Sequence, residues 1–329
     1  MTHETSTRRA FLGGAGALGG AVLLARLGAA QQAPAPKPAT APAAPAKLFP
    51  LSLAQWSLHR ALQARRMDNL DFPAVAKRDY GIDAVEFVNT FFKDKAQDLA
   101  YLRELRKRAD DEGVRCCLIM VDGEGQLAHP DEDLRKKAVD AHKKWINAAA
   151  FLGCHSVRVN LDGEGSARSM RKSAVASLQS LGNFADPLEL RVLVENHGGR
   201  SSDGEWLAEV MTEAEHRRVG TLPDFGNFQL EDGKSYDRYK GVGELMPWAC
   251  AVSAKSYDFD AQGEETTIDF RRMLKIVTDA GYRAWVGIEY EGEKLSEPDG
   301  IRATKKLLEK VRDELAAELA KPTKPQTPK

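Results

Sequence analysis

The sequence predicts an α/β fold, a single (β/α)8 TIM barrel, on three observations. Eight polar residues, Gln55, Glu86, Asp122, Asn160, Glu195, Asp224, Lys255 and Glu289, each stand at or just after a short apolar, β-rich run. They recur every 29 to 38 residues, about the length of one strand plus one crossover helix. The runs themselves are nearly unbroken in apolar residues, as expected of parallel strands covered on both faces. Helical patterns between them close on a glycine at Gly81, Gly113, Gly153 and Gly281, which suits short helix-to-strand turns.

The expected strands follow in order. They are Leu51–Trp56, Asp83–Val88, Val114–Val121, Ser156–Leu161, Arg191–His197, Val219–Phe225, Ala249–Lys255 and Ala284–Tyr290. The sixth is the least regular. Between them Gln97–Glu112 sets Leu99, Leu102, Leu105 and Ala109 at helical spacing. Asp131–Leu152 repeats the pattern with Val139, Trp145, Ile146 and Ala149. Asp269–Ala280 and Glu297–Leu315 read as the last two helices. Two Asp-Gly-Glu-Gly segments, at 122–125 and 162–165, follow the third and fourth strands and read as turn-forming loops.

The barrel is expected to span residues 48–319. Ahead of it, Thr7-Arg8-Arg9-Ala10-Phe11-Leu12 and a Gly/Ala/Leu stretch resemble a twin-arginine export signal over residues 1–30. Gly28-Ala29-Ala30 offers a small-x-small cleavage site. The stretch is short and interrupted by Arg26, so a cleaved signal fits better than a permanent membrane span. A periplasmic or extracellular location is therefore expected. Gly14 to Gly19 matches a dinucleotide fingerprint, but no strand precedes it. Residues 31–47 form a Pro/Ala linker, and 320–329 a polar tail too poor in apolar residues to pack.

Lys+Arg number 47 against 48 Asp+Glu, which lacks the basic excess of a nucleic-acid binder. The four cysteines, Cys116, Cys117, Cys154 and Cys250, show neither CxxC nor zinc spacing and read as small buried residues.

Strand C-termini carry the chemistry of such barrels. Glu195, Asp224 and Glu289 would therefore crowd together at one mouth, where each carboxylate raises the pKa of the others. A divalent cation or Lys255 would compensate them. Two carboxylates facing each other across a sugar would remove a proton beside a carbonyl and return one to the other face. Glu86 is the weakest of the carboxylates. His197, two residues beyond Glu195, points the same way and would bind substrate, ligate a metal or serve structure. His59 follows the first strand and would line the same mouth. Trp56 would offer a stacking face for a sugar or a core ring.

Val194-Glu195-Asn196-His197-Gly198-Gly199, Asp224-Phe225-Gly226-Asn227-Phe228 and Gly287-Ile288-Glu289-Tyr290-Glu291-Gly292 resemble the sugar phosphate isomerase/epimerase family. This is the xylose-isomerase-like TIM-barrel superfamily. The resemblance implies a divalent metal (Mn, Mg, Co or Zn) on Glu195, Asp224 and Glu289. It implies Glu195 and Glu289 as the acid/base pair. Lys255 is expected beside them as a catalytic residue, and His59, Trp56, Glu86, His197 and Asn227 are expected at the mouth as substrate contacts. A fourth ligand comes in that family from a His-x-Lys element, which here reads Ser253-Ala254-Lys255. The expected activity is isomerisation or epimerisation of a small carbohydrate. Sugar binding without catalysis, or elimination or hydrolysis of an oxidised sugar, are the alternatives.

Overall fold

Eight parallel strands form the centre of the protein, in the order β6-β5-β4-β3-β2-β1-β8-β7. They are β1 (Leu51–Ala54), β2 (Ala84–Val88), β3 (Arg115–Met120), β4 (Ser156–Val159), β5 (Arg191–Glu195), β6 (Val219–Leu222), β7 (Val252–Ser256) and β8 (Val286–Tyr290). The computed structural model describes residues 47–320. The expected export signal with its cleavage site, all but residue 47 of the linker at 31–47 and all but residue 320 of the tail at 320–329 lie outside the described residues.

The sheet closes where β6 meets β7. There the ladder thins to single bridges, Thr221 to Ala249 and Asp224 to Ser253. Pro223 is the reason. It lacks an N–H, so β6 stops at Leu222, while the Pro223 carbonyl still accepts the Ser253 N–H at 3.0 Å. This irregular seam carries Asp224 on one side and Ser253 on the other.

Nine helices, α1 (His59–Gln63), α2 (Phe72–Tyr80), α3 (Leu99–Asp111), α4 (Glu132–Leu152), α5 (Ala167–Ala185), α6 (Gly204–Ala214), α7 (Arg238–Leu245), α8 (Phe270–Asp279) and α9 (Glu297–Leu319), are found among the described residues. The four helices singled out from spacing correspond to α3, α4, α8 and α9. From α3 to α9 every helix starts on an Asp or Ser whose side chain accepts a backbone N–H of the first turn. These caps are Asp98, Asp131, Ser166, Asp203, Asp237, Asp269 and Ser296. Each cap satisfies a donor that the helix cannot, and so fixes where each strand-to-helix loop ends.

Two apolar layers result. The larger lies between strands and helices and holds Phe72, Phe87, Trp145, Leu178 and Ile288. The smaller fills the barrel interior with Ala54, Val88, Leu118, Met120, Leu193, Leu222 and Ala251. Interior positions not taken by this cluster are polar. They include Ser52, Glu86, Arg158, Glu195, Ser253, Lys255 and Glu289, all buried. The four cysteines are free, and Cys116, Cys117 and Cys154 are buried. None of the helices among the described residues is long and apolar enough to cross a membrane.

The wall behind the site is tightly packed. A β-carbon added at Gly300, in the first turn of α9, would run into the ring of the fully buried Tyr290. Gly300→Ala is expected to cost about 1–3 kcal/mol, the usual penalty for overpacking a close contact. A lowered urea midpoint checks this, and an unchanged midpoint contradicts it.

Candidate active site

The strand ends are set by side-chain amides that lock neighbouring strands together. Gln55 accepts the Val88 N–H at 2.9 Å, tying the end of β1 to β2. Asn89 accepts the Asp122 N–H and donates to the Asp122 carbonyl, each at 2.9 Å. Asn196 does the same for Asp224, accepting its N–H at 2.8 Å and donating to its carbonyl at 3.0 Å. Asp122 and Asp224 are therefore held in place through their own backbone. Gln55, expected at the mouth, is fully buried and serves as one of these locks.

Glu195, Asp224 and Glu289 come together. One oxygen from each lies within 4.8 Å of the other two, and all three residues are buried. Asp224 Oδ1 accepts the N–H groups of Gly226 at 2.8 Å and Asn227 at 2.7 Å. Its Oδ2 is buried without a hydrogen-bond partner. Glu195 Oε1 accepts from Asn227 Nδ2 at 3.3 Å. Its Oε2 stands 2.7 Å from Arg158 Nε, an ion-pair contact whose angle makes no hydrogen bond. Glu289 accepts from the Ser253 hydroxyl at 2.9 Å and lies 3.2 Å from Lys255 Nζ.

Two buried cations face these acids. Lys255 also contacts Asn227 Oδ1 at 3.2 Å and Glu291 at 3.4 Å. Burial would lower its ammonium pKa, but Asp224, Glu289, Glu291 and Glu195 hold it well above its ordinary value. Lys255 therefore stays charged, which suits it to stabilise negative charge and rules it out as a neutral base. Arg158 spans Glu195 and Asp122, the latter at 2.6 Å. Burial opposes its charge as well, and Asp122 and Glu195 outweigh that and raise its pKa.

The two glutamates diverge. Burial pushes Glu195 up to about 7, with Arg158 and Lys255 pulling down and Glu289 pushing up. Burial also opposes the charge of Glu289, but Lys255 and the Ser253 hydroxyl prevail and lower its pKa. Burial brings Asp224 to about 7 despite Lys255. A pair of carboxyl groups pushed apart in this way suits one ionised base and one proton donor.

The mouth opens into a cavity of about 480 Å³, whose wall includes Trp56, Asp122, Arg158, Asn160, His197, Asn227, Lys255 and Glu289. Trp56 donates its Nε1–H to Glu291 and packs against Phe91, ring centroids 5.9 Å apart. Two expected substrate contacts lie elsewhere. His59 is stacked behind Trp56 at 4.9 Å, with Nδ1 2.7 Å from the Trp56 carbonyl. It supports the ring and forms no part of the wall. Glu86 is a mid-strand residue one layer below the mouth, 1% exposed, accepting from Ser52 Oγ at 2.6 Å. Gly287 makes room for it, since a β-carbon there would lie 2.7 Å from Glu86 Oε1.

Arg158 and Glu291 were not among the expected site residues. Both had a signal. Each lies two residues from a named position, Asn160 and Glu289, and so shares its face of the strand.

Residues 74–311 match the model of the xylose isomerase-like TIM barrel family. The chain belongs to this family. Among solved structures, L-ribulose 3-epimerase superposes with a TM-score of 0.65 at 15% identity, covering 84% of this chain and 100% of that one. The 3-keto-D-glucoside 4-epimerase of E. coli gives 0.58 at 14%, covering 80% and 99%. A xylose isomerase-like TIM barrel protein from Mycobacterium smegmatis, solved with magnesium, gives 0.58 at 16%, covering 83% and 98%. Two curated relatives match shorter stretches. The 3'-dehydrocarminate deglycosidase alpha subunit of a Microbacterium species is 32% identical over 77 residues, 23% of this chain and 20% of that protein. The C-glycoside deglycosidase alpha subunit of Arthrobacter globiformis is 36% identical over 66 residues, 19% of each. The chain thus covers about a fifth of the length of these relatives.

The donor set in this family member fits a hard divalent cation. Three carboxylates converge, and the Asp224 Oδ2 and Glu195 Oε2 atoms lack hydrogen-bond partners. The Ser253 hydroxyl is engaged with Glu289. Glu86, Glu195 and Asp224, each brought to about 7 mainly by burial, titrate higher folded than unfolded. Their stabilising contribution is therefore complete below their unfolded values and is lost as pH rises through about 7. Metal-free protein is expected to show a Tm that falls between about pH 4.5 and 7 and levels off above that, and added Mn2+ to flatten that slope. A Tm that is flat or rising without metal contradicts the charge assignment.

Proposed function

We propose that this protein is an isomerase or epimerase of a sugar derivative, working by proton transfer at the carbon beside a carbonyl. The observation that carries this reading is the opposed state of two buried carboxyl groups at one mouth. Glu289 is held ionised by Lys255 and Ser253, and Glu195 is held near neutrality by burial. Glu289 removes the proton. Glu195 supplies one to the opposite face or to an adjacent oxygen. Lys255 and Arg158 place fixed positive charge where the enolate oxygen develops, in a site largely closed to water. A divalent ion on Glu195, Asp224 and Glu289, when bound, would act as a Lewis acid toward the carbonyl and hydroxyl oxygens. Trp56 and Asn227 orient the ring from the cavity wall.

A second outcome of the same first step is favoured by the deglycosidase names of the two curated relatives. On a glycoside oxidised to a 3-ketone, proton removal from C2 leaves electrons that form the C1–C2 double bond. The C1–O or C1–C bond to the aglycone breaks, and the departing group takes a proton from Glu195. No oxidant is consumed. Release of free aglycone without recovered epimer marks elimination. Recovered epimer with the aglycone still attached marks isomerisation.

Both outcomes require removal of the carbon-bound proton; isomerisation then returns one from solvent, whereas elimination leaves C2 without a hydrogen and frees the aglycone. Incubation with 3-keto glucosides in heavy water is expected to place deuterium beside the ketone. Glu289→Gln is expected to lower kcat/KM by about 10²–10⁴, the usual worth of a positioned acid or base. A full panel of keto sugars that neither acquires deuterium nor releases aglycone, or a Glu289→Gln enzyme of undiminished rate, defeats the reading.

A further inference from the structure

A second cavity, of about 370 Å³, adjoins the active-site cavity and shares two wall residues with it, Asp162 and His197. Each is of a size suited to a small ligand. The acid–base machinery belongs to the first cavity alone. The second has polar walls instead, built from Asp162, Arg200, Glu231 and the Gly198-Gly199 turn, and its lining includes no Trp, Tyr or Phe.

Its frame is fixed. Gly198 and Gly199 sit at φ 84° and 57°, a left-handed backbone that keeps this wall free of side chains. The N–H groups of His197 and Gly198 donate to Ser201 Oγ at 3.0 Å and Ser202 Oγ at 2.9 Å, so the turn is pinned from beneath. On the facing wall the Asp162 carbonyl accepts the Ala128 N–H at 2.9 Å, and Gly163 passes so close to the Ala128 carbonyl that a β-carbon would not fit. Arg200 bonds Glu231 through Nη2 at 2.6 Å, while its shielded Nε has no partner among the described residues. The Arg200 guanidinium, paired with Glu231 and lining the same cavity as Asp162, gives these walls both donors and acceptors, which suits a hydroxyl group.

We propose that the second cavity is a subsite for a second sugar ring, so that the substrate is a disaccharide or other hydroxyl-rich glycoside rather than a monosaccharide. The reacting ring lies against Glu289 and Trp56, and the ring attached to it lies beyond His197 between Asp162 and Arg200. The absence of Trp, Tyr and Phe from this lining favours a polyol over a flat aromatic aglycone. The inference rests on the carbohydrate reading of the first cavity and names the substrate class for it.

Calorimetric titration of the full chain with a glucose disaccharide panel, methyl glucoside and phenyl glucoside tests this. None carries a ketone, and with each disaccharide used as its methyl glycoside none opens to an aldehyde, so none reacts and binding is read apart from chemistry. At least one disaccharide is expected to bind tenfold or more tighter than methyl glucoside, and tighter than phenyl glucoside. Arg200→Ala and, separately, Asp162→Asn are expected to reduce that ratio at least fivefold. Equal affinities, a preference for the phenyl glucoside, no binding of any compound, or a ratio untouched by both variants would overturn the subsite. Deuterium exchange into keto sugars is scored independently. Exchange without a disaccharide preference retains the proposed reaction and removes the subsite. Preference with neither exchange nor aglycone release retains the subsite and removes the reaction.

Discussion

The structure depends on balancing negative charge inside the barrel. Glu86, Asp122, Glu195, Asp224, Glu289 and Glu291 gather around Arg158 and Lys255. Two cations do not neutralise six acids. A buried charge without compensation is costly, so the excess must be met by protons or by a further cation. The upward pull on Glu86, Glu195 and Asp224 is the protein's answer in the absence of a cation, and it keeps protons where proton-transfer chemistry would use them. Lys255 and Arg158 decide which acids remain charged, because Lys255 pairs with Glu289 at 3.2 Å and Arg158 donates a hydrogen bond to Asp122, while Glu195 meets Arg158 only off-line.

Such a cluster would collapse or fill with water on a loose scaffold. Here the strand ends are tied by Gln55, Asn89 and Asn196, so the backbone positions of the acids are set before their side chains interact. The helix caps end each loop at a fixed residue. The seam at Pro223 has the opposite effect. It relaxes the ladder between β6 and β7 at the one place where Asp224 and Ser253 must face each other across the mouth.

Most of the architecture was legible because strand and helix periodicities differ and the polar strand ends recur at barrel spacing. Strand limits shrank by one to three residues at most ends, since the last positions of an apolar run, such as Trp56 and Phe225, belong to turns. The helices α5, α6 and α7 had to be inferred from the repeat, as α5 carries many Ser and Ala residues and α7 holds two glycines. The Glu195–Asp224–Glu289 group was readable because each lies within two residues of its strand's C-terminal end. Glu86 was misplaced because an inward residue in mid-strand looks the same as one at the mouth. His59 was misplaced because its turn carries it behind Trp56. Arg158 escaped notice because an arginine in an apolar strand reads as an edge residue until its partners Asp122 and Glu195, distant in sequence, are brought beside it. The amide locks have no local signature at all, since each acts on a backbone group about 30 residues away.

What occupies the space among Glu195, Asp224 and Glu289 decides the account. Crystals grown with Mn2+ at a pH above 7 and measured for anomalous scattering would answer directly. The charge imbalance predicts a single strong peak within coordination distance of all three carboxylates, with Lys255 still paired to Glu289. No peak there, with the Lys255 ammonium moved in to bridge Glu195, Asp224 and Glu289, would contradict it.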